Sequence, residues 1–245
     1  MSETLEGVEP ALEEFVSGQV ISEVLHVIKS GKEAAAYLCR AHPLLGCEYA
    51  VAKLYHESKR RNFANDAIYQ DGRIILNGRT ARAVAKKTEL GSAAAASMCV
   101  DHEFEVLSAL QYAGAAVPEP FAANERAIVM SFAGDRAAAP QLQHAHIDGA
   151  EARVLFERLL WNVELFLANN VVHADLSPFN ILYDRGRPVI IDFPQSVDAR
   201  FSRYARELLE RDLGNLGRFF ARFGIEFDAG RQASRLWQRW RHGEL

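Results

Sequence analysis

The stretch VVHADLSPFNILYDRGRPVIIDFP, residues 171–194, places polar side chains at the ends of short apolar runs. Asp175 and Asn180 follow the first run, and Asp192 follows the last one. Between them, the segments ILYD and PVIID are β-prone and are joined by the turn-forming pair RG, which predicts a hairpin. That hairpin returns Asp192 to the side of Asn180, so the three polar residues are expected to lie close together.

The order of these residues favours phosphoryl-transfer chemistry. Such chemistry needs cations on the phosphates, oxygens that hold those cations, and a group that orients the nucleophile. Mg²⁺ prefers hard oxygen ligands and keeps several waters, so about one or two protein oxygens suffice. We therefore predict Asn180 and Asp192 as metal ligands and Asp175 as the catalytic base. One such residue alone indicates little, but HADLSPFN followed by a hairpin and IID is a specific pattern.

A lysine and a glutamate upstream complete this pattern. The alternation of EYAVAKLY, residues 48–55, predicts a second strand that carries Lys53 among apolar neighbours, where a lysine needs a partner. Glu103 shares one helical face with Leu107 and Leu110 on a helix expected from Ser92 to Tyr112. Glu105 points off that face, so we predict Glu103 as the partner of Lys53.

The turn Ser30-Gly31-Lys32 is a candidate phosphate loop, although no G-x-G-x-x-G is present. The glycine permits close backbone approach, and the two flanking side chains can donate hydrogen bonds to phosphate. The β-prone runs around it suggest a hairpin.

The order of elements predicts an α+β fold of two lobes. The chain has 245 residues, of which 49% are hydrophobic and 24% charged, as in ordinary globular proteins. We expect an acidic arm over 1–19, a β-rich N-lobe over 20–133 and a reduced, mainly helical C-lobe over 134–245. The firmest helix is expected over 148–170, where Asp148 and Glu151 form a capping box.

The cysteine content and the N-terminal sequence suggest a cytoplasmic protein. The three cysteines form no C-x-x-C pair, the N-terminus shows no secretory signal, and no apolar run reaches the roughly 20 residues of a membrane span.

Residues 55–87 carry eight Lys/Arg against three acids. This basic segment is either a solvated helical face or a surface for nucleic acid, and the sequence leaves both open.

Together the motifs resemble the RIO family of atypical serine/threonine protein kinases over about residues 20–220. The similar segments are VIKSGKEAAAYLC, AVAKLY, DHEFEVL, VPEPF, IVMSFAG, VVHADLSPFNILY and VIIDFPQSVD. The resemblance implies a RIO-type kinase fold, ATP and Mg²⁺ (or Mn²⁺) as cofactors, and a link to ribosome assembly, with a protein or a ribosomal RNA–protein particle as partner and no membrane.

The resemblance also implies a role for each matching residue. Lys53 contacts the nucleotide phosphates, Glu103 orients it, and Ser30, Gly31 and Lys32 cover the phosphates. The remaining roles fall on residues of the hinge and the C-lobe: Met130 behind the adenine, Ser131 and Phe132 as hinge backbone contacts, Asp175 as base, Asn180 and Asp192 on magnesium, Asp192 as a possible phosphate acceptor, and Asp212 as anchor of the catalytic loop.

Several positions depart from ordinary protein kinases. Ser177 stands where they carry a lysine, and Pro194 stands where they carry the glycine of D-F-G. Proline fixes its own φ and restrains Phe193, so we expect a rigid metal loop. Few residues follow Asp192, so no peptide-docking platform is expected, and few precede Val20, which suggests the family branch without an N-terminal winged helix.

Two other functions stay open at this stage. A small-molecule phosphotransferase of the aminoglycoside or choline kinase type shares the HxD and later ID motifs, but it usually has glycine at the position of Ala174. A slow nucleotide-dependent binding switch uses the same residues with little turnover. The C-terminal RLWQRWRH is either a docking helix or part of an RNA-binding surface.

Overall fold

The computed structural model describes residues 10–56 and 89–245. These residues divide into two compact units: residues 10–56, 89–105 and 119–132 form the first unit, and residues 106–118 and 133–245 the second. The charged residues of the basic segment 55–87 lie outside the described residues, so its predicted role stays open. The lobe boundaries expected from the sequence also stay a prediction.

The first unit is built on a five-stranded antiparallel sheet of order β1-β2-β3-β5-β4. Its strands are β1 (Ile21–Ser30), β2 (Ala34–Ala41), β3 (Tyr49–Tyr55), β4 (Pro120–Ala123) and β5 (Ala127–Ser131). The expected hairpin around the Ser-Gly-Lys turn is present as β1 and β2. The lysine strand is third along the chain, not second, because that turn separates two full strands ahead of it.

Helix α1 (Pro10–Ser17) covers part of this sheet. Leu12 and Phe15 of α1 are buried in one core cluster with strand residues such as Ile21 and Leu54. Burying each of the two large side chains contributes about 1.5–3 kcal/mol relative to exposure. The Asn124 side-chain amide donates to the carbonyl oxygen of Ala11 at 2.8 Å, which fixes α1 to the turn between β4 and β5.

The expected helix over 92–112 is α2 (Glu89–Tyr112). Its buried residues Val100, Glu103, Leu107 and Leu110 recur at spacings of three and four, so they share one face. Gly114, with φ of 84°, follows the helix in the left-handed region that glycine adopts without strain.

The second unit is organised around helix α3 (Gly149–Ala168). The Asp148 side chain accepts hydrogen bonds from the backbone of Ala150 and Glu151, and the Glu151 side chain returns one to the Asp148 amide. The predicted capping box is therefore confirmed. An apolar stripe of α3 is buried as well, and its members are Leu155, Leu159, Val163 and Phe166.

Short strands follow α3 and carry the polar loops. The strands are β6 (Val171–Val172), β7 (Ile181–Asp184), β8 (Arg187–Ile190) and β9 (Val197–Asp198). β7 pairs with β8 as the expected hairpin, and β6 pairs with β9. The hairpin turn has positive φ at Arg185 (48°) and Gly186 (81°), the geometry that matches the twist of the flanking strands.

Two helices complete the second unit, α4 (Ala205–Phe220) and α5 (Ala229–Arg241). The buried face of α4 holds leucines and phenylalanines together with one carboxylate, Asp212. Within the described residues, no helix has the length and hydropathy needed to cross a bilayer.

Candidate active site

Lys53 and Glu103 form an ion pair in the first unit. Lys53 Nζ lies 2.8 Å from Glu103 Oε1 and 2.9 Å from Oε2. Glu103 is 1% exposed, and a buried carboxylate is costly unless it is paired and hydrogen-bonded. The structure thus brings the two predicted residues together, and their action on a nucleotide stays a prediction.

Tyr55 is a third member of this group that the sequence reasoning missed. Its hydroxyl donates a hydrogen bond to Glu103 Oε2, and Lys53 Nζ lies 5.1 Å from the centroid of its ring. Residues two apart on a strand point to the same face, so Tyr55 follows Lys53 on β3. The i, i+2 spacing of Lys53 and Tyr55 was the sequence signal that could have identified Tyr55.

The candidate phosphate loop is an exposed turn between β1 and β2. The Gly31 N–H donates to the carbonyl of Ala34 at 2.9 Å, and a Cβ built on Gly31 would lie 3.3 Å from that oxygen. A glycine suits this close approach. Ser30 ends β1, and Lys32 is exposed at the tip of the turn.

His56 holds this loop from the end of β3. Its backbone N–H donates to the Glu33 carbonyl at 2.9 Å, and its ring Nε2 lies 3.2 Å from the Gly31 carbonyl oxygen. Nothing in the sequence spacing singles out His56, because the contact arises from the pairing of β2 with β3.

The predicted hinge residues lie at the end of β5. Met130 is buried, and the Phe132 ring packs edge-on against Tyr49 with centroids 6.1 Å apart. The Ser131 N–H donates to the Glu119 carbonyl at 2.8 Å, while Ser131 Oγ accepts from the Glu119 N–H at 2.9 Å. The Ser131 amide is therefore used by the fold, which directs any adenine contact of this residue to its carbonyl oxygen.

In the second unit, Asp212 fixes the loop that carries Asp175. Its carboxylate accepts the Ala174 N–H at 2.7 Å and the Leu176 N–H at 3.0 Å. Complete burial raises the pKa of Asp212 to about 7, against the opposing effect of the two N–H donors. Ala174 has a φ of 64°, a conformation that these bonds on either side of Asp175 maintain.

Two further residues of α4 hold the same loop and were not identified from the sequence. The Arg211 guanidinium donates to the Ala174 carbonyl, and the Asn215 side-chain amide donates to the Leu176 carbonyl at 2.8 Å. Asn215 lies three residues after Asp212 and thus on the same helical face, which was the signal that could have found it.

Asp175 is exposed and is held by Asn180. The Asn180 Nδ2 donates to the backbone oxygen of Asp175 at 2.9 Å and to its Oδ2 at 3.0 Å. Loss of water around the carboxylate raises the pKa of Asp175; the Asn180 hydrogen bond opposes this shift, and the charge of Asp192 adds to it. The predicted base and one predicted metal ligand are therefore in direct contact.

Asp192 is returned to Asn180 by the hairpin, as the sequence predicted. The Ile191 N–H donates to the Asn180 carbonyl at 2.9 Å, which extends the β7–β8 pairing up to Asp192. Asp192 has a φ of 75°, rare for a residue with a side chain and common at functional sites. Asn180 Nδ2 is directed to Asp175. The Asn180 Oδ1 and the Asp192 carboxylate are hard oxygens of the kind that Mg²⁺ prefers, and their role as metal ligands stays a prediction.

The segment after Asp192 is packed into the core. Phe193 is fully buried, and its ring centroid lies 4.5 Å from that of His173 and 5.5 Å from that of Phe166. Its carbonyl accepts the Ser196 hydroxyl at 2.7 Å. These contacts fix the backbone next to Asp192, in agreement with the rigid loop that Pro194 led us to expect.

A family model described as the RIO domain matches residues 32–232. The chain belongs to the RIO domain family. Its curated relatives include the RIO-type serine/threonine-protein kinase Rio1 of Thermoplasma acidophilum, 36% identical over 53% of this chain and 67% of that protein. The serine/threonine-protein kinase RIO1 of Chaetomium thermophilum is 30% identical over 86% of this chain.

This RIO domain spans 42% of the Chaetomium RIO1 and 40% of the RIO1 of Schizosaccharomyces pombe. Among solved structures, a Chaetomium thermophilum Rio2 kinase described as an ADP/Mg²⁺–phosphoaspartate complex is similar with a TM-score of 0.64. It is 20% identical over 96% of this chain and 72% of that chain. Another Rio2 structure from the same organism also has a TM-score of 0.64, at 23% identity over 91% of this chain and 66% of that one. The predicted RIO-type α+β fold is confirmed.

Proposed function

We propose that this RIO domain transfers the γ-phosphoryl group of ATP to serine or threonine hydroxyls of a protein, with Mg²⁺ as cofactor. The observation that carries the proposal is the loop in which Asp212 holds the backbone on both sides of Asp175 and Asn180 holds its side chain. Positioning and electrostatics supply most of the catalysis in phosphoryl transfer, and this loop supplies the positioning.

In this proposal the first unit binds the phosphates. The Lys53 ammonium, held by Glu103 and Tyr55, donates to phosphate oxygens. Ser30, Gly31 and Lys32 cover the phosphates from their turn, and the Ser131 carbonyl meets the adenine edge. The bonds from His56 keep the turn in place when the phosphates leave.

The second unit supplies the reacting groups. Asn180 Oδ1 and the Asp192 carboxylate would hold Mg²⁺, which neutralises phosphate charge when bound. The Asp175 carboxylate accepts the proton of the hydroxyl, whose oxygen bonds to the γ-phosphorus while the bond to the β–γ bridging oxygen breaks and ADP leaves. In a variant of this route, Asp192 itself accepts the phosphoryl group before water or a hydroxyl removes it.

The test compares Asp175→Ala with wild type, using labelled ATP and Mg²⁺. The variant is expected to lose at least about a hundredfold in transfer while binding ADP normally, since a general base contributes roughly 10²–10⁴-fold. Asp135→Ala, which removes an exposed carboxylate of the same unit, is the matched control. Unchanged turnover in Asp175→Ala would refute the assignment of the base.

The chemical form of the product separates the routes. Acid-stable phosphoserine supports direct transfer, whereas a hydroxylamine-sensitive label that disappears in Asp192→Asn supports the aspartyl-phosphate route. ATP hydrolysis with no labelled acceptor would favour the slow switch, and label on a small molecule would favour the phosphotransferase alternative.

The partner and place of action belong to the same proposal. We propose a cytoplasmic protein that acts on a ribosomal RNA–protein particle, a role supported by the family resemblance alone. Affinity capture with Asp175→Ala, which retains nucleotide but does not turn it over, is expected to enrich ribosomal particles relative to wild type. Equal recovery with Asp135→Ala would remove the support for this partner.

A further inference from the structure

A cavity of about 410 Å³ lies in the second unit beside the catalytic loop. Its walls come from the segment after Asp175, from the end of α4 and from the segment before α3. The lining residues are Gln143, Ser177, Pro178, Phe179, Asn215, Arg218, Phe219 and Arg222. We call this cavity the loop groove.

The loop groove lies next to Asp175, the proposed catalytic base, and hydrogen bonds connect its walls to the catalytic loop. Ser177 lies two residues after Asp175, which limits the separation of their Cα atoms to about 7 Å. Asn215 donates to the Leu176 carbonyl at 2.8 Å, and the Gln143 N–H donates to the Pro178 carbonyl at 3.1 Å. A polypeptide that presents a hydroxyl to Asp175 therefore reaches this groove within a few residues.

The groove carries unneutralised positive charge. Arg218 lies in the last turn of α4 and Arg222 in the 3₁₀ turn Ala221–Phe223 that follows it, and both are exposed. Across residues 10–56 and 89–245, neither has a carboxylate within ion-pair distance. The Arg222 guanidinium carbon lies 3.9 Å from the centroid of the Phe219 ring, and Arg218 donates to Asn215 Oδ1. Both guanidinium groups are thus held in place, which lowers the entropic cost of binding an anion.

The lining suits a peptide. Guanidinium groups bind carboxylate or phosphate oxygens through paired hydrogen bonds. Phe179 is 51% exposed and offers an apolar surface, and the amide side chain of Gln143 can meet a peptide backbone. The volume lies in the range of about 300–1,000 Å³ typical of small binding pockets, enough for a few side chains.

We propose that the loop groove binds an acidic segment of the polypeptide substrate, adjacent to the serine or threonine that receives the phosphate. This proposal rests on the proposed kinase function and names its substrate class. Two clustered arginines favour a short run of carboxylates or a phosphorylated residue over a nucleic acid, which needs a longer track of cations for its phosphates. With serine at position 177, Arg218 and Arg222 are the lining residues that bring positive charge to this part of the loop.

The test measures direct binding to the full chain. A fluorescein-labelled serine peptide with a run of glutamates is compared by anisotropy with the same peptide carrying glutamines or lysines. We expect the glutamate peptide to bind on the order of tenfold more tightly than the glutamine peptide, as one charge-assisted contact allows. The double variant Arg218→Gln/Arg222→Gln should lose this preference, whereas Arg231→Gln/Arg235→Gln, an exposed pair of equal spacing on α5, should keep it.

Three results would overturn the proposal. They are equal binding of the glutamate and glutamine peptides, a preference that survives in Arg218→Gln/Arg222→Gln, and displacement of the glutamate peptide by single-stranded RNA with higher affinity. A phosphoserine peptide in the same assay separates phosphate from carboxylate as the preferred anion. ATP turnover is measured in parallel, so loss of turnover with intact, arginine-dependent binding would count against the kinase function and not against the groove.

Discussion

At the scale of single residues, each unit holds a buried carboxylate that accepts several hydrogen bonds. Glu103 receives Lys53 and Tyr55, and Asp212 receives two backbone amides. A buried carboxylate that loses its donors keeps its desolvation cost, so these residues should be sensitive to the loss of a partner.

The Lys53–Glu103 pair should show strong coupling in stability. Lys53→Met leaves Glu103 buried with one fewer donor, and we expect a loss of about 3 kcal/mol in the free energy of unfolding. The double variant Lys53→Met/Glu103→Leu should be more stable than Lys53→Met alone, because it removes the unpaired charge. Urea denaturation of both single variants and the double variant measures the coupling. Additive losses would contradict it.

Asp212 should make stability depend on pH. Its carboxyl has an unfolded pKa near the ordinary aspartate value of about 3.9 and a folded pKa of about 7. Between these values the folded state retains a proton that the unfolded state has released, so this group's contribution to stability falls as pH rises through that window. Asp212→Asn does not titrate. The free energy of unfolding of wild type minus that of the variant should therefore be larger near about pH 5 than near about pH 8. A gap that grows with pH would contradict this.

At the scale of elements, some of the structure could be predicted from the chain and some could not. Helix α3 and the β7–β8 hairpin follow from local periodicity, caps and turn residues. The Lys53–Glu103 contact was predicted from the pattern of a strand lysine and a helix glutamate that phosphoryl transfer uses. His56 and Arg211 were missed because their contacts depend on strand pairing and helix packing, which no short pattern encodes. Tyr55 and Asn215 share a face with Lys53 and Asp212 by their spacing, and that signal was not used. The bond from the Ser131 N–H to the Glu119 carbonyl could not be predicted either, because it depends on the pairing of residues around the sheet.

The capping box of α3 gives a prediction confined to one element. Asp148→Ala removes the acceptor for two N–H groups at the helix start and should cost about 1 kcal/mol. Thermal unfolding should register the loss, whereas the KM for ATP should not change because no candidate site residue belongs to α3. Asp135→Ala serves as the control, and a KM that rises only in Asp148→Ala would contradict the local effect.

At the scale of the whole molecule, ligand binding should appear as stability. ADP with Mg²⁺ should raise the melting temperature more than ADP alone, since a ligand that binds only the folded state stabilises it. Asn180→Ala should lose the Mg²⁺-dependent increment and keep the ADP-dependent part, because Asn180 is assigned to the metal and not to the nucleotide. Differential scanning fluorimetry measures both, and an unchanged Mg²⁺ increment in Asn180→Ala would contradict the metal assignment.

The bonds from Asp212 to the catalytic loop also affect how that loop opens. The N–H groups of Ala174 and Leu176 donate to the carboxylate of Asp212, a residue of helix α4. They can exchange with solvent only when the loop and the helix separate, so their exchange rates should follow the opening of α4. The loop beside the exposed Asp175 would then exchange like the interior, and its protection would report the stability of helix α4.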